Sequence, residues 1–400
     1  MSEATVRPVP FPARKPGCTL ERDFYTDAAI FGADLERIFY NGWLFAGHSC
    51  ELGKPGDYLV FSVGTESLLL TRDESGELHA HHNVCAHRGS RIVLSPRGNA
   101  RALVCPYHQW VYGMNGKLRS ARLMGDCFDT ADHQLRPAAV RELSGLLFVS
   151  LSDSPPSFDP MVAAIEPQLR PHGIDRAKIV RRDRYTVQAN WKTIVENNRE
   201  CYHCRGSHPQ FCLSNFDFGT HGDIRTNESF ERRLAESYGQ WLQLGLSPRD
   251  VAFPDGLWFR VARLPLKDGF RTESVSGELV APLMGSITQP ETGSLRIVSL
   301  PNMWAHANCD YAMTTRLTPV APGVTDVEVC FLVDADARAG TDYESAELSE
   351  VWRATSEQDW ELCENNYAGI ASRGYRPGPY STVVENSVDA FLTWYLACLG

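Results

Sequence analysis

What the chain lacks narrows the field first. No stretch of its 400 residues approaches the ~18 consecutive apolar residues needed to cross a bilayer as a helix. The opening MSEATVRPVPFPARKPGC has no apolar run and no cleavage-site pattern, so no signal peptide is expected and the chain reads as cytoplasmic. There is no internal repeat and no low-complexity tract. An excess of positive charge is also missing: 39 Lys and Arg face 49 Asp and Glu, a net charge of −10, which argues against nucleic acid as a partner. Hydrophobic residues at 43% and charged residues at 22% are ordinary for a folded chain that buries a core.

The length exceeds one core of ordinary size. Residues 1–40 read as an extended arm followed by a helix over 23–40. Residues 41–150 carry short β-type runs (DYLVF, SLLLTR, SGLLFVSL) and an Asn115-Gly116 hairpin turn, the pattern of a small all-β domain. LSDSPPSFDP, residues 151–160, has the composition of a linker. Residues 161–400 mix strands and helices, giving an α+β protein overall. Strands are expected near 257–265, 276–282, 294–300, 303–318 and 326–334. Helices are expected from Trp191, capped by Asn190, to about Cys204, and over 342–368. A polar helical stretch within 222–256 is placed to cover a site.

Cysteine is plentiful at 12 residues, and in a reducing compartment most should be free, buried and inert. Cys85 and Cys105 are exceptions. They occur in CAHRGS and CPYHQW, so that Cys85, His87, Cys105 and His108 form two mixed thiol–imidazole halves separated by seventeen residues. Zinc is one candidate for such a set, although zinc pairs usually take C-x2-4-C and H-x3-5-H. Mixed halves suit a [2Fe–2S] cluster in which one iron takes both Cys and the other both His.

From residue 78 to 125 there are seven Arg or Lys (Arg88, Arg91, Arg97, Arg101, Lys117, Arg119, Arg122) and no Asp or Glu. That asymmetry reads either as compensation for an anionic cluster or as a docking face for an acidic electron donor.

A second concentration of metal-binding residues is ECYHCRGSHP, residues 200–209. His203 and His208 are five apart, unsuited to one face of a straight helix, but Arg205-Gly206 lets a helix end between them and the second His fold back. On a continuous helix, Glu196, Glu200 and His203 would share a face. Two His lack a third ligand. In the 342–368 helix, Asp359 falls on the apolar stripe of Leu348, Val351, Trp352, Thr355, Leu362 and Cys363, whereas Glu357, Glu361 and Glu364 point elsewhere. A charge on a buried stripe needs a partner, and two His with one carboxylate form the facial triad of nonheme Fe(II) oxygenases. Cys201 and Cys204 flank His203 on other faces and read as packing residues.

The segments CAHRGS…CPYHQW, NWKTIVENNRECYHCRGSH and SEQDWELCENNYAGI together resemble the Rieske nonheme iron oxygenase α-subunits of ring-hydroxylating type, over roughly residues 40–400. The resemblance implies a Rieske domain joined to a helix-grip catalytic domain with an antiparallel sheet. It implies Cys85, His87, Cys105 and His108 as cluster ligands, His203, His208 and Asp359 as ligands of mononuclear Fe(II), and Glu200 as the bridge to the cluster of a neighbouring subunit in a homotrimer. It also implies O2 as cosubstrate and electrons from NAD(P)H through a separate flavin- or ferredoxin-type reductase. Many relatives carry Gln at Tyr367, which raises the question whether this position touches the site.

ECYHC, PNMWAHANCDYAM and RPGPYSTVVENSVDAFLTWY resemble the branch that acts on glycine betaine, proline betaine (stachydrine) and choline. The implied activity is hydroxylation of an N-methyl group with release of formaldehyde. Oxidation of choline or of an aromatic ring stays open as the alternative, and an electron carrier or a zinc-stabilised interaction protein as more distant ones. A quaternary ammonium suits an aromatic cage, for which Phe259, Trp304 and Tyr311 are the foremost candidates, with Phe216, Phe218 and Trp258 behind them.

Overall fold

Strand pairing divides the chain near residue 150. The computed structural model describes residues 11–216, 228–251 and 258–400. The first part contains strands β1 (Leu44–His48), β2 (Asp57–Val63), β3 (Glu66–Arg72), β4 (Leu78–His82), β5 (Arg97–Asn99), β6 (Leu103–Val104), β7 (Val111–Tyr112), β8 (Leu118–Ser120), β9 (Pro137–Leu143) and β10 (Leu146–Ser150). Seven of them form one antiparallel sheet in the order β1-β10-β9-β4-β3-β2-β5, and β6-β7-β8 form a small second sheet. A hydrophobic cluster of its own, with Leu69, Trp110 and Tyr112, surrounds Cys85 and Cys105.

The expected helix over 23–40 is broken. It consists of α1 (Asp23–Thr26), α2 (Ala28–Asp34) and a π-turn over Leu35–Phe39. Asp27 causes the first break: its extended backbone and its carboxylate, accepting from the Ala29 and Ile30 N–H groups, restart the helix as an N-cap.

The second part carries α3 (Asp159–Leu169), β11 (Ala177–Val187), α4 (Trp191–Asn198), α5 (Cys204–Ser207), α6 (Phe211–Ser214), α7 (Glu228–Gln243), β12 (Phe259–Leu264), β13 (Ser294–Ser299), β14 (Met303–Ala307), β15 (Ala312–Ala321), β16 (Val324–Asp334), α8 (Ser345–Ala371) and α9 (Asn386–Leu399). Among the described residues, its six strands form an antiparallel sheet ordered β11-β16-β15-β14-β13-β12, so the whole is an α+β protein. The strand expected over 276–282 does not form. Side chains take the place of a ladder there: the Asp310 carboxylate accepts from the Val280 N–H at 2.8 Å and the Thr272 hydroxyl at 2.6 Å. The strand expected over 303–318 is two strands, because Asn308–Tyr311 makes the turn between β14 and β15.

Register assigns the two faces of this sheet. Arg296 pairs with His306 and Val298 with Trp304, so these four share one face. That face meets α8, with the His306 and Trp352 rings 4.3 Å apart and the Trp304 and Trp360 rings 6.5 Å apart. The opposite face meets the β domain. His48 Nε2 lies 3.0 Å from Thr314 Oγ1, the Asn302 amide bonds both backbone groups of Phe45, and Arg182 pairs with Glu51 at 2.6 Å.

One buried polar knot fixes α4 to both ends of the chain. Asp34 accepts from the Lys192 ammonium at 2.5 Å, the Trp191 indole at 3.0 Å and the Tyr395 hydroxyl at 2.8 Å. Asp34 and Lys192 are both fully buried, so each charge depends on the other. Among the described residues, no helix is long and apolar enough to cross a membrane.

Candidate active site and cluster loops

The two Cys–His loops close alike. The Gly89 N–H donates to Cys85 O at 2.9 Å, and the Gln109 N–H to Cys105 O at 3.0 Å. Both closing residues have positive φ, +75° at Gly89 and +60° at Gln109, a turn that glycine adopts freely and glutamine does not. Both thiols are buried and free, and the His87 and His108 rings lie 4.4 Å apart beside them. Burial raises the Cys85 thiol. Cys105 is also buried, yet backbone N–H groups of Tyr107 and His108 aimed at its sulfur bring it down. The Tyr112 hydroxyl accepts from the Ala86 N–H and sits 3.2 Å from Cys85 Sγ. Converging thiols, imidazoles and N–H donors aimed at sulfur fit a [2Fe–2S] cluster. Two of the seven basic residues are compensated locally, Arg97 by Glu51 and Arg119 by Glu74.

Helix α4 stops earlier than expected, at Asn198, not near Cys204. The continuous-helix geometry therefore fails at Glu196. That carboxylate is buried and engaged elsewhere, accepting from Tyr25 at 2.8 Å and Tyr380 at 2.9 Å. Residues 199–203 instead make an irregular turn into the short helix α5, and this turn brings His203 and His208 together. Cys201 and Cys204 are buried in the hydrophobic core, as packing residues would be, and are also bonded to each other. Cys204 Sγ lies within 4.8 Å of the His203 and His208 donor nitrogens, but as a disulfide sulfur it is no thiolate ligand.

His203 Nε2 lies 3.2 Å and His208 Nε2 3.0 Å from the same oxygen, Asp359 Oδ1. Each imidazole is held through its other nitrogen. Glu200 Oε1 is 2.5 Å from His203 Nδ1, and the Gln358 amide is 2.9 Å from His208 Nδ1. Burial pulls the His203 pKa down, but the hydrogen bonds with Asp359 and Glu200 outweigh it and raise it to about 10. His208 moves the same way. Burial opposes ionisation of Asp359, yet its hydrogen bonds with the two His lower its pKa. The three side chains thus favour positive charge at their centre, which fits a divalent metal bound by two Nε2 atoms and a carboxylate.

A cavity of about 50 Å³ opens beside these three residues, walled by Phe211, Arg296, His306, Trp352 and Thr355. A second, of about 330 Å³, reaches Glu200 and His203 from the side of Tyr380 and Glu385. Among the described residues, none of the expected cage aromatics walls the smaller cavity. Phe259 pairs with Ser299 and so lies on the sheet face opposite His306. Trp304 shares the His306 face but sits over Trp360. Tyr311 lies one step behind the wall, its hydroxyl accepting from the Trp352 indole at 3.1 Å. Of the secondary candidates, Phe216 meets Phe230 of α7 edge to face, Trp258 packs near Phe158, and Phe218 falls outside the described residues. Tyr367 lies against Gly323 in the β15–β16 turn, away from the cavity. The sequence reading missed Phe211, Arg296, His306 and Gln358.

Fold and donor sets together define a Rieske-type nonheme iron oxygenase. Residues 42–131 match the Rieske [2Fe-2S] domain, and residues 174–400 match the catalytic domain of ring-hydroxylating alpha subunits. The glycine betaine monooxygenase oxygenase subunit of Chromohalobacter salexigens is 39% identical over 379 residues, spanning 94% of this chain and 85% of that protein. A carnitine monooxygenase oxygenase subunit of Acinetobacter baumannii is 31% identical over 249 residues, 60% of this chain and 66% of its own. The crystal structure of a quaternary ammonium Rieske monooxygenase in complex with L-carnitine has a TM-score of 0.72 and 22% identity over 95% of each chain, a likeness of fold. The chain belongs to the Rieske ring-hydroxylating oxygenase α-subunit family. It is a nonheme iron monooxygenase with a [2Fe–2S] cluster and a mononuclear iron, using O2 and reductase-derived electrons.

Proposed function

We propose that this oxygenase hydroxylates an N-methyl group of a quaternary ammonium carboxylate of the glycine betaine or proline betaine type. The product carbinolamine collapses to formaldehyde and the demethylated amine. The observation that carries the reading is the convergence of His203 Nε2, His208 Nε2 and Asp359 Oδ1 at the foot of a small cavity, in a chain 39% identical to a glycine betaine monooxygenase subunit.

In this reading His203, His208 and Asp359 hold the iron, which when bound supplies O2 activation at its open positions. Glu200 accepts the His203 Nδ1 proton and so keeps the Nε2 lone pair directed at the metal. Gln358 does the same for His208 with its oxygen toward Nδ1. The reversed amide, which could donate to Ser207 O, would make Nδ1 the acceptor and leave Nε2 protonated, so metal ligation selects the first orientation. Phe211 and Trp352 restrict water beside the reacting methyl group.

Cys85, His87, Cys105 and His108 hold the cluster. The β domain packs on the sheet face opposite α8, so cluster and iron of one chain lie on opposite sides of that sheet. This supports a homotrimer in which a neighbour's cluster loops reach Glu200 through the 330 Å³ cleft. Exposed Val84, Val104 and Tyr107 surround the cluster loops, an apolar rim suited to such a contact. A cytoplasmic flavin- or ferredoxin-type reductase fed by NAD(P)H is the electron donor this reading calls for.

The test is a single turnover. The chemically reduced holoenzyme receives O2 and, in turn, glycine betaine, proline betaine, carnitine, choline and an aromatic acid, with products read by mass spectrometry. Formaldehyde from a betaine is expected. An aldehyde from choline alone, or a ring diol, would replace this reading.

A further inference from the structure

The cavity beside the iron site has Glu200 and Asp359 at its metal end and Arg296 in its wall. Arg296, on β13, is only 7% exposed and lines it. Its Nη2 donates to Asn215 Oδ1 at 2.5 Å, and its Nε has no hydrogen-bond partner among the described residues. The Glu273 carboxylate is 3.8 Å from Nη2, but both its oxygens are engaged, Oε1 with His306 Nδ1 and Oε2 with Asn308 Nδ2, each at 3.1 Å. A guanidinium offers five donors in a planar fork matched to a carboxylate, and a buried charge with spare donors is costly unless something answers it. Aromatic rings line the cavity beside it, the guanidinium lying 5.8 Å from the centre of the Phe211 ring. Phe211 and Trp352 meet at 5.7 Å, and Tyr311 holds the Trp352 indole.

We propose that Arg296 binds the carboxylate of a zwitterionic substrate, leaving the quaternary ammonium group toward Trp352 and the His203–His208–Asp359 end, and so selects quaternary ammonium carboxylates over quaternary ammonium alcohols. The proposal rests on the function assigned above and adds the residue that decides between betaines and choline. A ligand with a carboxylate takes up the guanidinium donors that Asn215 and Glu273 leave open as it enters. A ligand without one brings a second cation into a small cavity already holding Arg296.

Calorimetric titration of the holoenzyme without O2 tests this, using glycine betaine, its methyl ester and choline. The acid is expected to bind at least ~30-fold more tightly than either, the scale set by truncating one partner of a buried charge pair. R296M should lose that factor for glycine betaine and bring the three ligands level. R296K should fall between, since it keeps the charge but not the fork. Ester and acid binding alike to the wild type would overturn the proposal, and this comparison needs no variant to fold. Unchanged glycine betaine affinity in R296M would also overturn it. Wild type that binds none of the three and releases no formaldehyde removes the substrate class itself. Betaine turnover with ester and acid bound equally removes only the anchor.

Discussion

Removing Asp34 tests whether the buried knot at the start of α4 holds the catalytic domain together. In Asp34→Ala, Lys192 loses the carboxylate it is hydrogen-bonded to in a fully buried site, and the Trp191 and Tyr395 donors lose their acceptor. Breaking a buried ion pair by deleting one partner costs about 3–5 kcal/mol. Burial already lowers the Lys192 pKa against the pull of Asp34, so losing the carboxylate pushes the amine toward neutrality without recovering its hydration. Asp34→Ala with Lys192→Met removes both charges and should recover at least ~2 kcal/mol, although two neutral donors stay unanswered at about 1–3 kcal/mol each. Urea unfolding followed by tryptophan fluorescence measures both. A loss below ~1 kcal/mol in the single variant, or simple additivity in the double, would refute the assignment of the knot as a mutually dependent pair.

Three further outcomes are expected. Asp359→Ala should lose mononuclear iron by metal analysis and abolish turnover while the visible spectrum of the cluster persists; loss of both signals would mean the change unfolds the chain. Tyr112→Phe removes the hydroxyl 3.2 Å from Cys85 Sγ and should lower the cluster potential in protein-film voltammetry, because hydrogen bonds to sulfur help set it; an unchanged potential would dismiss that contact. Burial raises the Glu196 carboxyl from 4.5 to about 7, against its hydrogen bonds with Tyr25 and Tyr380 and the charge of Lys192. The folded chain then binds a proton that the unfolded chain has released, so stability should fall as pH rises from about 4.5 to 7, by roughly 3 kcal/mol in all. Glu196→Gln should flatten that slope, and an equal slope in the variant would assign it to other groups.

The parts of both sites that lie close along the chain were legible in the sequence. Cys85, His87, Cys105 and His108 sit in two short loops whose spacing fixes what they can hold. Asp359 was found at long range because a carboxylate on an apolar helical stripe is conspicuous. The end of α4 was hidden: nothing in ENNRECYHC marks Asn198 as the last helical residue, and the turn that follows is stabilised by tertiary packing around the buried Arg199. The cavity walls were hidden for a different reason. Both faces of β12, β13 and β14 are buried, so alternation cannot say which parity meets α8. Phe259 lies on the face away from α8, whereas Arg296 on the α8 face drew no notice.

Trp352 and Asp359 stand seven residues apart on α8, two turns or roughly 10 Å of rise on one uninterrupted rod. In the proposed reading one meets the substrate and the other the metal, and no loop between them can absorb a displacement. A slide or roll of α8 that widened the pocket for a bulkier ammonium would carry the metal-facing carboxylate with it. A change of diet in this scaffold is therefore easier by exchanging side chains on the sheet or on α6 than by moving the helix.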